Sequence, residues 1–350
     1  MNSSTSSSDA WRRLPRGLFW AIALLIALEL VTRLLWSPNL VGPTRYGRYL
    51  TSYQYGYDAG LPLFFRVNDE WVVYSIRGRE IPEQHVPATK RTAEFRVFVF
   101  GASDSWGPGS YPAFMTRALA ARRPGVEWTT VNLSVFGVGS SRMSLILGKA
   151  LAFQPDLVIL APHGSNEYED ERDLAYVRAV NSGYKGLLFK SRAVVLLKQV
   201  FDQHLSFRPD SPPTLEFEEE ETASLKPENV ARWHAALREN MRNMVQRARD
   251  RTVPVLLVGR AERDRGPGGR DSTQTAAVND LLRQLANRPD VVFFDLSAAL
   301  DTAFRTPGDR AAVFQDESHL QAQGHAAAGE ALATLVLTQF RLPEIGARLK

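Results

Sequence analysis

From position 94 onward the chain alternates short apolar runs with amphipathic stretches. The runs at 95–100, 128–133, 156–161, 253–258 and 291–296 are rich in Val, Leu, Ile and Phe, the pattern of strands covered on both faces. Helical spacing of apolar positions follows at 111–122, 140–153, 228–251, 273–287 and 322–340. Strand and helix in alternation predict a parallel sheet sandwiched between helices over 94–340, an α/β fold. Sheets of this kind hold ligands beyond the C-terminal ends of their strands.

Two stretches depart from that rhythm. Residues 37–93 carry Tyr46, Tyr49, Tyr53, Tyr55, Tyr57, Phe64 and Phe65 among turn formers, with a strand-like run at 70–76. They read as an aromatic-rich stem that packs on the main domain. Residues 168–226 interrupt the alternation with an apolar helix at 193–205, the Pro-rich 208–213 and the acidic 216–221. An insertion at the mouth of the sheet suits a substrate lid or a membrane-surface helix, and equally a capping helix with a solvated acidic loop.

The N-terminus has a third pattern. After a polar tail at 1–16, with Arg12, Arg13 and Arg16, residues 17–36 are apolar enough and long enough to cross a bilayer. Arginines before the apolar segment keep the tail in the cytoplasm, and no small-x-small cleavage site follows. The expectation is an uncleaved, single-pass signal anchor in the cell inner membrane, with the rest of the chain facing the periplasm or the outside. Glu29 and Arg33 lie one helical turn apart and read as a self-paired duo near the outer interface rather than a contact to a partner helix.

Composition adds little beyond exclusions. At 350 residues and 44% hydrophobic the chain supports a sizeable core, and 42 Lys+Arg against 38 Asp+Glu give a formal charge of only +4. No basic run interleaves with aromatics, so no nucleic-acid partner is read. There is no Cys, which removes a thiolate nucleophile and disulfides. Gly266-Pro267-Gly268-Gly269 lacks the Lys-Ser/Thr of a phosphate loop, and the six His show no metal-ligand spacing beside a carboxylate. Neither a cofactor nor a metal is expected.

The chemistry gathers at the strand ends. Ser103, in Gly101-Ala102-Ser103-Asp104-Ser105, follows the first strand at a turn that would expose its hydroxyl ahead of a helix N-terminus. Ser105 nearby is better suited to N-capping. Asp316-Glu317-Ser318-His319 offers a base and its orienting carboxylate from one short loop, whereas His325 falls inside the final helix and reads as packed. Gly137, beyond the second strand, lets a backbone N–H approach a substrate oxygen, and Asn166, beyond the third, can donate its amide to the same oxygen. His163 reads as a substrate contact or a packed turn residue. Each feature alone is commonplace in turns; their order at successive strand ends is what points to a serine hydrolase.

These four blocks resemble the SGNH (GDSL-type) hydrolases. Gly101-Ala102-Ser103 matches the first block, Asn132 to Gly137 the second, Gly164-Ser165-Asn166 the third and Asp316-Glu317-Ser318-His319 the last, over about 95–337. The resemblance implies a flavodoxin-like three-layer α/β/α fold, with Ser103, Gly137, Asn166, Asp316 and His319 as site residues. It also implies cleavage of a carboxylic ester on a lipid, a small ester or an acylated glycan. Transfer of the acyl group to a glycan hydroxyl would use the same residues, and a non-catalytic glycan-binding or assembly protein would keep the fold alone. Two departures stand out: the family's Gly-Asp-Ser-Leu is here Gly-Ala-Ser-Asp, and its Gly-x-Asn-Asp is Gly-Ser-Asn-Glu. The anchor, the stem and Arg77-Gly78-Arg79 look like anchored bacterial members.

Overall fold

A twenty-residue helix, α1 (Arg16–Leu35), opens the described chain with Trp20, Leu24, Leu34 and other apolar side chains exposed. The computed structural model describes residues 16–35, 63–73, 84–164, 166–171, 174–175, 191–194, 196–197, 227–264 and 272–342. Two units divide the chain, one drawn from Met1–Gly42 with Arg178–Asp210 and one from Pro43–Val177 with Ser211–Lys350. In the smaller unit, Gly17–Leu35 is long and apolar enough to cross a bilayer. The Glu29–Arg33 pair forms, at 2.7 Å. It is not self-contained, however. The Glu29 carboxylate also accepts from Ser191 Oγ at 2.6 Å and from the backbone N–H groups of Arg192 and Ala193 at 3.2 and 3.0 Å. Residues 192–194 and 196–197 are helical, and the remainder of the 193–205 helix expected from sequence lies outside the described residues.

The larger unit contains two sheets. β1 (Phe64–Val67), β2 (Glu70–Val73) and β3 (Gln84–Pro87) form a small antiparallel meander. β4 (Glu94–Gly101), β5 (Glu127–Asn132), β6 (Leu157–Ala161), β7 (Val255–Val258) and β8 (Val291–Phe294) form a parallel sheet in the order β5-β4-β6-β7-β8. The first strand of this sheet therefore sits between the second and third, the flavodoxin-like order expected. All eight residues of β4 are buried, and all four of β7, as two-faced coverage requires.

Alternate residues of the strands face different layers. Phe98, Phe100, Val158, Leu160, Val255 and Leu257 pack with α3 (Ser140–Ala150), α4 (Pro227–Arg249) and α5 (Thr273–Leu285). Phe95, Val97, Val99, Leu157, Ile159 and Leu256 pack instead with α2 (Tyr111–Arg122), α6 (Leu296–Ala303) and α8 (Ala322–Gln339). The small sheet joins the first of these layers through Phe64, whose ring meets Phe98 at 6.2 Å and Phe153 at 4.2 Å.

Differences from the sequence reading have local causes. The strand expected over 291–296 stops at Phe294, because the Asp295 side chain accepts the Ala298 N–H and starts α6. Thr306 does the same for Asp309 at the head of α7 (Pro307–Ala312), and neither α6 nor α7 has enough length for a periodic signal. Of the strand read at 70–76, residues 70–73 pair; 74–76 lie outside the described residues, as do the Arg77-Gly78-Arg79 approach, 37–62 and most of 168–226.

One charged pair is buried at the start of β4. Arg96 is 2% exposed and bonded to the Glu94 carboxylate; its guanidinium also donates to the carbonyls of Phe153 at 2.9 Å and Pro87 at 2.7 Å. Burial raises the Glu94 pKa, but Arg96 and the Arg91 amide outweigh it and hold the carboxyl below its usual range. Removing the cation strands a buried anion and frees two carbonyls. Arg96→Ala is expected to cost about 3–5 kcal/mol in urea unfolding; a loss under about 1 kcal/mol would mean that the pair contributes no more than a surface ion pair.

Candidate active site

β4 ends in Gly101, and the chain then makes a three-residue 3-10 turn, Ser103–Ser105. The helix read at 111–122 spans Tyr111–Arg122, so this turn and a short connector separate Ser103 from its N-terminus. The turn is closed by Ser105 N–H to the Ala102 carbonyl and Trp106 N–H to the Ser103 carbonyl, so the Ser103 N–H is not used by it. Ser105 is no helix cap. It is fully buried and donates to Ser134 Oγ at 2.9 Å. A Cβ on Gly101 would come within 2.0 Å of Ser105 Oγ, which is why this position takes no side chain.

The neighbouring strand fastens the turn. Asn132 Nδ2 donates to the Ser105 carbonyl at 2.7 Å, and Asn132 is itself held by Gln84 of β3, which gives and receives one backbone hydrogen bond at 2.8 and 2.6 Å.

His319 reaches the turn from the far end of the sequence. Its Nε2 lies 2.7 Å from Ser103 Oγ and its Nδ1 2.7 Å from Asp316 Oδ2. Asp316 Oδ1 accepts the backbone N–H of Ser318 at 3.0 Å and of His319 at 2.8 Å, and Gln315 N–H closes the loop on the His319 carbonyl. Burial pushes the Asp316 pKa up, but those two amides and the His319 ring prevail and lower it. The carboxylate thus stays ionised and fixes the Nδ1–H tautomer, leaving Nε2 to accept from Ser103.

Gly137 and Asn166 come together on one side. Gly137 has φ +66°, and a Cβ there would meet Glu169 Oε2 at 2.8 Å. Asn166 Nδ2 donates to the Val138 carbonyl at 3.4 Å, long for such a bond. A buried ion pair ties the two loops: Arg142 donates to Asp170 at 2.9 Å and to the Gly137 carbonyl at 2.7 Å, while Asp170 N–H donates to the Asn166 carbonyl at 3.0 Å. Phe136, beside Gly137, lies parallel to the His319 ring at 6.1 Å and edge-on to Trp106 at 5.8 Å, so this loop borders the Ser103–His319 pair. Glu167, the residue that departs from the third block, accepts the Ser140 N–H at 2.7 Å and Oγ–H at 2.8 Å at the start of α3. Burial pushes its pKa up to about 7 against those bonds.

Three site residues escaped the sequence reading, or were read only in part. Asp104 registers there only as a departure from Gly-Asp-Ser-Leu; its Oδ1 lies 3.8 Å from His319 Nε2 and its Oδ2 3.6 Å from His163 Nε2. Arg260, just past β7, brings Nη2 to 3.0 Å from His163 Nε2, and its position at a strand end is the signal that would have found it. His163, which the sequence leaves between a substrate contact and a packed turn residue, is half-buried beside Arg260, its pKa driven well below the usual range by burial and then by Arg260. His325 is packed as expected, lowered to about 4 by burial. Among the described residues no group of three His, Asp or Glu side chains is arranged to hold a metal ion.

A sequence model of the GDSL-like lipase/acylhydrolase family matches residues 98–327, from β4 into α8. The chain belongs to that family. Its members are hydrolases of the SGNH α/β fold, and the order of the parallel sheet agrees. Solved structures similar to the chain include a catalytic mutant of Axe2, an acetylxylan esterase from Geobacillus stearothermophilus, at 14% identity over 71% of this chain and 95% of that one, with a TM-score of 0.44. LAE5, an alpha/beta hydrolase enzyme from the metagenome of Lake Arreo, Spain, is 17% identical over 69% and 94%, with a TM-score of 0.43. TesA is 17% identical over 69% and 97%, with a TM-score of 0.41. No curated protein matches the chain significantly.

Proposed function

We propose that this GDSL-family chain is a membrane-anchored serine esterase that cleaves a carboxylic ester through an acyl-enzyme. The observation that carries the reading is the pair of 2.7 Å contacts linking Ser103 Oγ to His319 Nε2 and His319 Nδ1 to Asp316. Ser103 attacks the carbonyl carbon while His319 takes its proton; the proton then passes to the leaving alcohol oxygen. Water repeats the sequence on the acyl-enzyme and frees the acid. The oxyanion is held by the N–H groups of Ser103 and Gly137 and by the Asn166 amide, a role supported by the unspent Ser103 N–H and by the adjoining Gly137 and Asn166 loops. Asp316 keeps the ring oriented.

The anchor reading rests on α1 and on Arg12, Arg13 and Arg16 before it. It places the esterase domain at the periplasmic or outer side of the cell inner membrane.

A fluorophosphonate probe should label the wild-type chain on Ser103. Ser103→Ala is expected to abolish labelling and ester turnover with melting unchanged, and Ser105→Ala to keep the labelling; loss from both substitutions alike would leave Ser103 without its role. For the oxyanion, Asn166→Ala should lower kcat about a hundredfold or more with KM nearly constant, as loss of such a donor does. Near-normal kcat with only a lowered Tm would make Asn166 a turn residue. Topology is checked by a reporter fused after Lys350: one that works only outside the cytoplasm should be active, and activity of a cytoplasm-only reporter would reverse the orientation.

A further inference from the structure

The nucleophile turn carries a carboxylate that the scheme above does not use. Asp104 follows Ser103 directly, and its Oδ1 is buried with no hydrogen-bond partner. No turn hydrogen bond ends on that atom, since the Ser105 and Trp106 amides go to backbone carbonyls. A buried carboxylate oxygen without a donor is costly unless a positive charge is at hand. Nearby stands Nε2 of His319, at 3.8 Å, the atom that becomes positively charged during the reaction.

Building on the esterase reading, we propose that Asp104 is a second carboxylate acting on His319, facing Nε2 while Asp316 holds Nδ1, and that it stabilises the imidazolium formed when His319 takes the Ser103 proton. As the Oγ–C bond forms, the proton moves from Oγ to Nε2, and the new positive charge lies between two anions. Asp104 takes no proton itself. When the intermediate collapses, the Nε2 proton goes to the departing alkoxide and the charge on the ring is discharged.

The surroundings suit that task. His163 faces His319 with ring centroids 6.5 Å apart, yet its Nε2 lies 3.0 Å from Arg260 Nη2, and burial with the Arg260 charge keeps the ring neutral. His163 therefore sets no cation against the imidazolium. His325 of α8, lowered to about 4, is neutral as well. Arg260 acts on Asp104: burial pushes that carboxyl up to about 6, against the pull of Arg260 and His319 and with the Asp316 charge adding to the rise. Tyr111 of α2 is raised by burial and by Asp104, so it stays protonated. On the other loop Arg263 and Glu317 neighbour Asp316. Above pH 6 the charge next to Nε2 is thus that of Asp104.

The test is the rate of fluorophosphonate labelling at Ser103 between pH 4.5 and 9, on the full chain in detergent. The probe needs no knowledge of the natural ester: Oγ bonds to phosphorus, fluoride leaves, and the Oγ proton goes to His319. In Asp104→Asn the labelling should slow about tenfold at pH 8, and the acid limb should move down by about half a pH unit or more, because the imidazolium has lost an anion. Asp104→Glu, which keeps the charge, should restore much of the rate. An unmoved limb overturns the proposal, whether the rate holds or falls with Tm, since a merely structural carboxylate would not shift it. Should the Asn variant fail to fold, Asp104→Thr is read the same way. Absence of Ser103 labelling in wild type would sink the esterase reading and this one with it; normal wild-type labelling with an unchanged Asp104→Asn profile would sink this one alone.

Discussion

The hydrogen bond from Asn132 to the Ser105 carbonyl, 2.7 Å long, is the constraint on which the site geometry rests. A serine on a loose turn samples many positions, whereas a nucleophile needs its oxygen fixed to within a fraction of an ångström of its base. Here the turn is fixed from three directions. Gly101 admits Ser105 beneath it, Ser134 receives the Ser105 hydroxyl, and Asn132 takes the carbonyl. Gln84 extends the chain of support into the small sheet, so part of the stem serves the site it does not touch.

Buried arginines divide the labour between the two ends of the parallel sheet. Arg96, at the N-terminal end of β4, satisfies Glu94 and the carbonyls of Phe153 and Pro87 and joins strand, connector and small sheet. Arg142 and Arg260 lie at the opposite edge, where the strands end. Arg142 locks the Gly137 loop to the Asn166 turn, and Arg260 holds its place because the Asn279 side chain receives its N–H at 2.7 Å and donates to its carbonyl at 3.1 Å. Such ions are expensive to bury and gain little in net stability over a well-packed apolar set. At the edge where the strands end what they provide is position: Arg142 ties the Gly137 loop to the Asn166 turn, and Arg260 stands beside His163.

Much of this was legible in the sequence, for identifiable reasons. Strands buried on both faces read as continuous apolar runs, and the helical spacing of apolar positions bounded α2 at Tyr111 and Arg122. Ser103 and His319, singled out from sequence, lie 216 residues apart yet meet within a hydrogen bond, because the turn after β4 and the loop before α8 open on the same edge of the sheet. The short α6 and α7, and the four-residue strands β1 and β3, lacked the length for a periodic signal. Ser105 was misread as a cap since a serine after a turn looks the same whether it faces a helix or the core. Asp104 stood in plain view beside Ser103, but which way a turn residue points depends on the turn, and the 3-10 geometry of Ser103–Ser105 has no sequence signal.

Glu29 shows the same limit in the smaller unit. Spacing alone identified Arg33 as its partner, because residues four apart on a helix are neighbours. A carboxylate has about four lone-pair sites, and in apolar surroundings an unfilled one is penalised more than in water. The remaining donors come from far along the chain: Ser191 Oγ and the first amides of the helical segment at 192. Those amides are the unsatisfied N–H groups that every helix start presents, so an anion and a helix end each meet the other's need. An acid in an otherwise apolar helix is in this way a docking point for the segment that caps it, and the 191–194 stretch is bound to α1 by the chemistry of both partners rather than by apolar contact alone.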